Sequence, residues 1–344
     1  MANILNNTRI VTGLKITEIS SEMLSSHTPI VFKGAVGDWD IVRLSKKSTS
    51  EAIGFLKESC NEKSALINVG HPGIDGRYFY SEDFKSLNYD TVRMKIDDAL
   101  DLIASAGSDP ENPSYYISSN AINSHFPGLS EYLTTVLPRN NKTSEVASPD
   151  VKIWVGTKSV ATCHYDALDN IACVVAGKRR FTLFPPSQFK NLYFGPLELT
   201  PGGQAISLVD FENPDYNKHP RFKEAELVGE VAELEAGDAI YIPSMWMHHV
   251  EGLNNFNILI NYWWNDAPLY TGSGMTALYH AMLTLREKPE HEKAGWKALF
   301  DYYIFNDSEH PCLSLPEDIQ GILGPLTPQK ARQLRSSIIN KLNR

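Results

Sequence analysis

Basic residues are in short supply in this chain. Lys and Arg number 32 against 41 Asp and Glu, leaving a net charge of −9 and a pI near 5.6. A surface of that sign cannot neutralise phosphates on the scale that nucleic-acid or anionic-membrane binding needs, so neither is an expected partner. Long apolar runs are also missing. No stretch approaches the roughly 20 residues of a membrane span, and the first residues, Met1 to Arg9, lack a basic segment followed by an apolar one. A cytoplasmic protein is expected. The four cysteines, Cys60, Cys163, Cys173 and Cys312, stand far apart with no CxxC pair, which excludes a zinc ribbon and a disulfide framework. No internal repeat or low-complexity tract occurs, and Pro and Gly are scattered as loop punctuation.

What is present divides by texture into three stretches. Residues 1–110 read as mixed α/β. Ile30 to Phe32 is a short apolar strand, Ser48 with Glu51 makes a capping box for a helix running to about Cys60, and a second helix covers Lys95 to Ala106. Residues 111–270 carry short β-branched and aromatic runs at Tyr115 to Ser118, Val151 to Gly156, Ile171 to Val175, Arg180 to Phe184, Ala239 to Ile242 and Phe256 to Trp264. Many short strands without intervening helices predict a mainly β fold, an antiparallel sandwich or barrel. Residues 271–344 return to helix, over Met275 to Arg286, His291 to Phe305 and Thr327 to Asn343. In the last of these Thr327 is an N-cap with Pro328 at the first helical position. Leu334, Ile338 and Leu342 form a narrow apolar stripe there, suited to the body of the protein or to a second copy in a homodimer.

Chemistry concentrates in Thr162-Cys163-His164-Tyr165-Asp166. On an extended chain an H-x-D spacing turns both potential ligands to one face and Cys163 to the other. The third ligand is expected from Asp238-Ala-Ile-Tyr-Ile-Pro-Ser-Met-Trp-Met-His248-His249, whose imidazole meets the first pair across a barrel. His248 and His249 cannot both face a metal in an extended segment, and the spacing alone leaves the choice between them open. Two imidazoles and one carboxylate leave three positions free on a non-haem Fe(II), enough for a bidentate oxo-acid and dioxygen. Between these segments runs Gly177-Lys-Arg-Arg-Phe-Thr-Leu-Phe-Pro-Pro186, which brings cations to the barrel, as a carboxylate co-substrate requires. A cupin using Zn(II) or Mn(II) for isomerisation or hydrolysis, and a non-catalytic binding module, are the competing classes.

His164 to Gln188, Tyr241-Ile-Pro-Ser-Met-Trp-Met-His-His, Asn261-Tyr-Trp and Val209-Asp-Phe-Glu-Asn-Pro-Asp-Tyr216 together resemble the cupin-like JmjC oxygenases, with the asparaginyl-hydroxylase branch the nearest. The resemblance covers roughly Tyr115 to Asp266. It implies a double-stranded β-helix of cupin or jelly-roll type with a helical C-terminal tail, and an Fe(II)- and 2-oxoglutarate-dependent dioxygenase that hydroxylates a C–H bond of a protein side chain or small molecule. By the same resemblance His164, Asp166 and His248 hold the iron, and Tyr116, Asn170, Arg179 and Asn261 line the 2-oxoglutarate pocket. Arg179 stands where the family has lysine, and Ala161 where it often has threonine. Gln204 to Ser207 replaces the Arg-Gln pair through which the asparaginyl hydroxylases reach their substrate amide, so a different prime substrate is expected.

Overall fold

The computed structural model describes residues 1–106, 111–130, 133, 146–305 and 311–343. The expected boundary near residue 110 lies outside the described residues. The chain divides into two compact units, one of residues 1–142 and 148–266 and one of residues 143–147 and 267–344.

Among the described residues the first unit holds fifteen strands, of which the first eight are β1 (Asn6–Asn7), β2 (Arg9–Thr12), β3 (Ile30–Lys33), β4 (Ser64–Gly70), β5 (Arg77–Tyr78), β6 (Tyr89–Lys95), β7 (Ser114–Ala121) and β8 (Asp150–Gly156). Then come β9 (Ser159–Tyr165), β10 (Asp169–Ala176), β11 (Lys178–Phe184), β12 (Glu230–Glu235), β13 (Ala239–Ile242), β14 (Met247–Gly252) and β15 (Asn257–Trp264). They form a six-stranded sheet, β1-β12-β11-β14-β9-β5, and a nine-stranded sheet, β2-β3-β13-β10-β15-β8-β7-β4-β6. The pairings among β7 to β15 are antiparallel, as the strand-rich middle predicts. The result is the mainly β, cupin-like architecture with flanking helices that the sequence suggests.

β10 shows why the two sheets have separate surroundings. Ala172 and Val174 pack with Phe181, Leu183, Val250 and Leu259 between the sheets. Their alternates Ile171, Cys173 and Val175 pack on the other side with Val42, Leu56 and Leu100 from the helices Asp40–Lys47, Thr49–Ser59 and Ile96–Ser105. Residues of period two thus feed two cores, and the strand is apolar throughout because both faces are covered. Ser48 Oγ accepts from the Glu51 N–H at 3.1 Å and starts its helix where the capping signal places it.

Two features of the fold escape the sequence reading. β4 and β6 extend the nine-stranded sheet from within the N-terminal stretch, where only Ile30 to Phe32 is read as strand. The segment Asp238 to His249 is not continuous: β13 belongs to the larger sheet, β14 to the smaller, and Pro243–Trp246 carries the chain across with Met245 at φ 67°. In the second unit the helices Gly274–Leu285, Glu290–Phe300 and Pro328–Leu342 lie where expected, with Thr327 Oγ1 accepting from the Lys330 N–H at 3.2 Å.

The turn that carries the chain from β10 in the larger sheet to β11 in the smaller one is made at Gly177, at φ 76°, where a Cβ would come within 2.4 Å of Asn257 Oδ1 and 2.7 Å of the Phe256 carbonyl. Gly177→Ala is therefore expected to lower the unfolding free energy by about 2 kcal/mol or more in urea titration. An unchanged midpoint would show that the turn relaxes freely.

Candidate metal centre

His164 lies near the end of β9 and His248 at the start of β14, and the antiparallel register sets the two directly opposite one another. Their rings are 4.3 Å apart. Asp166 follows β9 by one residue, and its carbonyl accepts from the Met245 N–H at 2.7 Å, tying it to the turn that leads into β14. The ligand atoms of His164, Asp166 and His248 all lie within 4.8 Å of one another. Among the described residues this is the one group of three or more such side chains placed to hold a metal ion.

The imidazoles are oriented from behind. His164 Nδ1 lies 2.9 Å from the Thr162 carbonyl and His248 Nδ1 lies 3.0 Å from the Trp246 carbonyl. A proton on each Nδ1 satisfies these carbonyls and leaves both Nε2 lone pairs free toward the centre, as a metal requires. Burial, together with the neighbouring His248, pushes the His164 pKa down to about 4 and keeps the ring neutral. Burial works against ionised Asp166, but the contact with the His248 imidazole, with His164 beside it, holds its carboxyl below the ordinary range. Asp166 Oδ2 is buried with no hydrogen-bond donor, 3.5 Å from His248 Nε2. A buried carboxylate oxygen without a donor beside two inward lone pairs fits a divalent cation.

The centre opens into a cavity of about 370 Å³. All seven residues singled out from the sequence line it: Tyr116, His164, Asp166, Asn170, Arg179, His248 and Asn261. Arg179 is only 2% exposed, and its Nε and Nη2 have no hydrogen-bond partner. Burial lowers its pKa while a hydrogen bond to the Tyr116 hydroxyl opposes that shift. Its strand neighbour Lys178 points out and pairs with Glu235 at 2.7 Å. Asn261 Nδ2 donates to Asn170 Oδ1 at 3.2 Å, and Trp154 Nε1 donates to Asn261 Oδ1 at 2.8 Å, so the two amides form one fixed polar strip.

His249 takes no part in the centre. It is buried, stacks on Phe211 at 4.5 Å, and has its pKa pushed down to about 3, chiefly by burial. Cys163 is buried on the opposite face of β9 among Phe184, Leu192 and Met247. Trp263 walls the cavity, whereas Trp246 and Trp264 pack in the two cores. Sequence reasoning missed Tyr78, Tyr89 and Trp154. Tyr78 stacks on Tyr116 at 5.6 Å, and Trp154 lies 5.9 Å beyond Tyr116. Tyr78 and Tyr89 lie on strands added by the N-terminal region, so no local pattern marks them.

A family profile described as "Cupin-like domain" matches residues 16–270. The chain belongs to the cupin-like domain family. Among curated relatives, it is similar to "tRNA wybutosine-synthesizing protein 5" of Mus musculus, 27% identical over 62% of this chain and 62% of that one, and of Gallus gallus, 27% identical over 76% and 83%. It is also similar to "Lysine-specific demethylase JMJ31" of Arabidopsis thaliana, 31% identical over 34% of this chain and 21% of that one. The chain thus spans less than two thirds of the mouse and plant relatives. Family and triad together support an oxygenase-type enzyme, and the cupin-like JmjC resemblance holds. The narrower likeness to asparaginyl hydroxylases rests on the sequence motifs alone.

His164 and His249 contribute to the acid behaviour of the metal-free protein. Their folded pKa values, about 4 and about 3, lie below the ordinary 6.5, so the unfolded chain takes up protons first. Their contribution to stability is expected to be fully present above pH 6.5 and to be lost as the pH falls through 6.5, to about 4 for His164 and to about 3 for His249. The slope should be shallower in His249→Phe, which keeps the stack on Phe211. Denaturant titrations in which the two proteins fall in parallel would contradict the assignment to His249.

Proposed function

We propose that this protein is an Fe(II)- and 2-oxoglutarate-dependent oxygenase that hydroxylates a C–H bond of a protein side chain or small molecule. The observation that carries this reading is a His-Asp-His group and a buried guanidinium, its Nε and Nη2 without a hydrogen-bond partner, facing one cavity. His164, Asp166 and His248 would hold the metal. Bound there, Fe(II) with 2-oxoglutarate and dioxygen supplies the oxidising chemistry, and the protein supplies orientation and a shaped, largely dry site.

Arg179 is the one Lys or Arg among the lining residues, so the distal carboxylate of the co-substrate has a single cationic partner. Its planar fork can donate to both carboxylate oxygens where a lysine would act as a point charge. The Tyr116 hydroxyl accepts a hydrogen bond from the fork and favours its charged form. Asn170 and Asn261, already bonded to each other, present the polar strip against which the oxo-acid is oriented. Ala161, on the cavity wall, offers no hydroxyl at the position where the family often has threonine, while Thr162, also on the wall, has a buried Oγ1 with no hydrogen-bond partner.

Several relatives are named for tRNA modification. Against nucleic acid as the partner of this chain stand its net charge of −9 and a cavity whose one Lys or Arg is buried. No helix among the described residues is long and apolar enough to cross a membrane. A cytoplasmic location and a homodimer complete the proposal. Ile338 and Leu342 of the last helix are 44% and 54% exposed, and their burial in a second copy would cover that stripe.

Anaerobic addition of Fe(II) and then 2-oxoglutarate to metal-stripped protein should produce the visible charge-transfer band of the chelate. Asp166→Ala should abolish it, and Arg179→Ala should weaken 2-oxoglutarate binding about a hundredfold, the loss of one partner from a buried charge pair. No band, with tight Zn(II) or Mn(II) binding instead, would refute the oxygenase reading. In sedimentation the wild type should be dimeric at micromolar concentration and Ile338→Glu with Leu342→Glu monomeric; a monomeric wild type would remove the dimer.

A further inference from the structure

β7 breaks its own alternation inside the cavity. Tyr116 pairs with Gly156 and Ile117 with Val155, but Asn120 then pairs with Ile153, so Ser118 and Ser119 together oppose the single residue Trp154. Ser119 sits at φ 51°, a left-handed conformation that a serine adopts at a cost. This bulge gives two consecutive side chains a place on the cavity wall, where a regular strand would give one. Among the described residues no hydrogen bond engages the Ser119 hydroxyl, and Ser118 Oγ receives only a long one, 3.5 Å, from Asn68 Nδ2.

The bulge lies beside the outermost strands. β5 and β6 end their sheets and supply Tyr78 and Tyr89 to the same lining, and β4 supplies Asn68. Tyr89 Oη donates to the Pro201 carbonyl at 3.1 Å, which brings Pro201 and Gly202 to the cavity. The ionisable charges of the lining are His164, Asp166, His248 and Arg179, all engaged by the metal and the co-substrate in the reading given above. What is left for a prime substrate is hydroxyls, carboxamides, aromatic rings and apolar side chains such as Leu168 and Ile206, with no further charge. Tyr78 and Tyr116 stack on one another with planes 23° apart, which takes one face of each ring.

We propose that the Ser118–Ser119 bulge is the recognition corner for the prime substrate, and that the group it admits is uncharged and hydrogen-bonding, a carboxamide, a hydroxyl or a neutral heterocycle, in preference to an ammonium or a carboxylate. This rests on the oxygenase reading for the roles of the four charged residues. An entering charge would lose its water and meet no counter-ion, whereas a neutral polar group meets two hydroxyls and an amide. The strain at Ser119 is the cost of aiming the second hydroxyl.

The test uses full-length protein loaded with Zn(II) and 2-oxoglutarate, which cannot turn over, and the N-acetyl amides of asparagine, serine, lysine and aspartate as probes, ranked by saturation-transfer NMR in competition. The asparagine and serine probes are expected to bind about tenfold or more tighter than the lysine and aspartate probes, the penalty of an unmet charge at a dry site. Ser119→Ala should weaken the neutral probes. Ser119→Asp, a residue that tolerates the left-handed conformation, should bring the lysine probe level with or ahead of asparagine. A wild type that prefers a charged probe, an order unmoved by Ser119→Asp, or no contact from any probe would overturn the proposal. The Fe(II)–2-oxoglutarate absorption band of each variant separates the two failures: a normal band with the wrong probe order refutes the recognition corner, and a missing band in the wild type refutes the oxygenase reading beneath it.

Discussion

The site depends on one pairing, that of His164 in β9 with His248 in β14. A slip of one residue in that ladder would carry His248 to the far face of its sheet and bring His249 forward. The register is held on both sides. Leu183 of β11 pairs with His248 on its other edge, and the pairing of β14 with β9 shifts between His248 and Val250, so that Thr162 and Cys163 together oppose His249. That irregularity keeps Ala161, Thr162 and His164 on the cavity wall while Cys163 stays in the apolar cluster behind. The Met245 N–H to Asp166 carbonyl bond then draws the third ligand to the same end.

Electrostatic economy follows from that geometry. The cavity wall holds very few charges, and each faces a task that water would otherwise perform. Neutral imidazoles, an ionised carboxylate and a buried guanidinium are the protonation states in which a divalent cation and a dicarboxylate are most strongly held. Without those guests, Asp166 Oδ2 and the Arg179 Nε and Nη2 atoms have no hydrogen-bond partner, a cost that a fold tolerates where ligands offset it.

The strands of the middle region and the H-x-D pair were legible because both are local, whereas the choice of His248 over His249 came from the resemblance. His164 and Asp166 announce themselves by spacing, and β10 and β15 by unbroken apolar runs. Arg179 was legible only through resemblance; its burial and its bond to Tyr116 are long-range facts. β4 and β6 were passed over because Ser64–Gly70 and Tyr89–Lys95 mix exposed polar and charged residues into short strands, one of them a sheet edge, where the pattern is weak. The crossing at Pro243–Trp246 and the bulge at Ser118 and Ser119 are properties of register, and one strand's sequence does not state what its neighbour does.

The central claim is that His164, Asp166 and His248 share one metal ion. The most direct measurement is a crystal structure of the Fe(II)-loaded protein with anomalous data collected at the iron edge. The account predicts a single peak bonded to the Nε2 atoms of His164 and His248 and to a carboxylate oxygen of Asp166, with Cys163 and His249 turned away. A peak ligated by His249 or Cys163, or no peak at this end of the barrel, would contradict it.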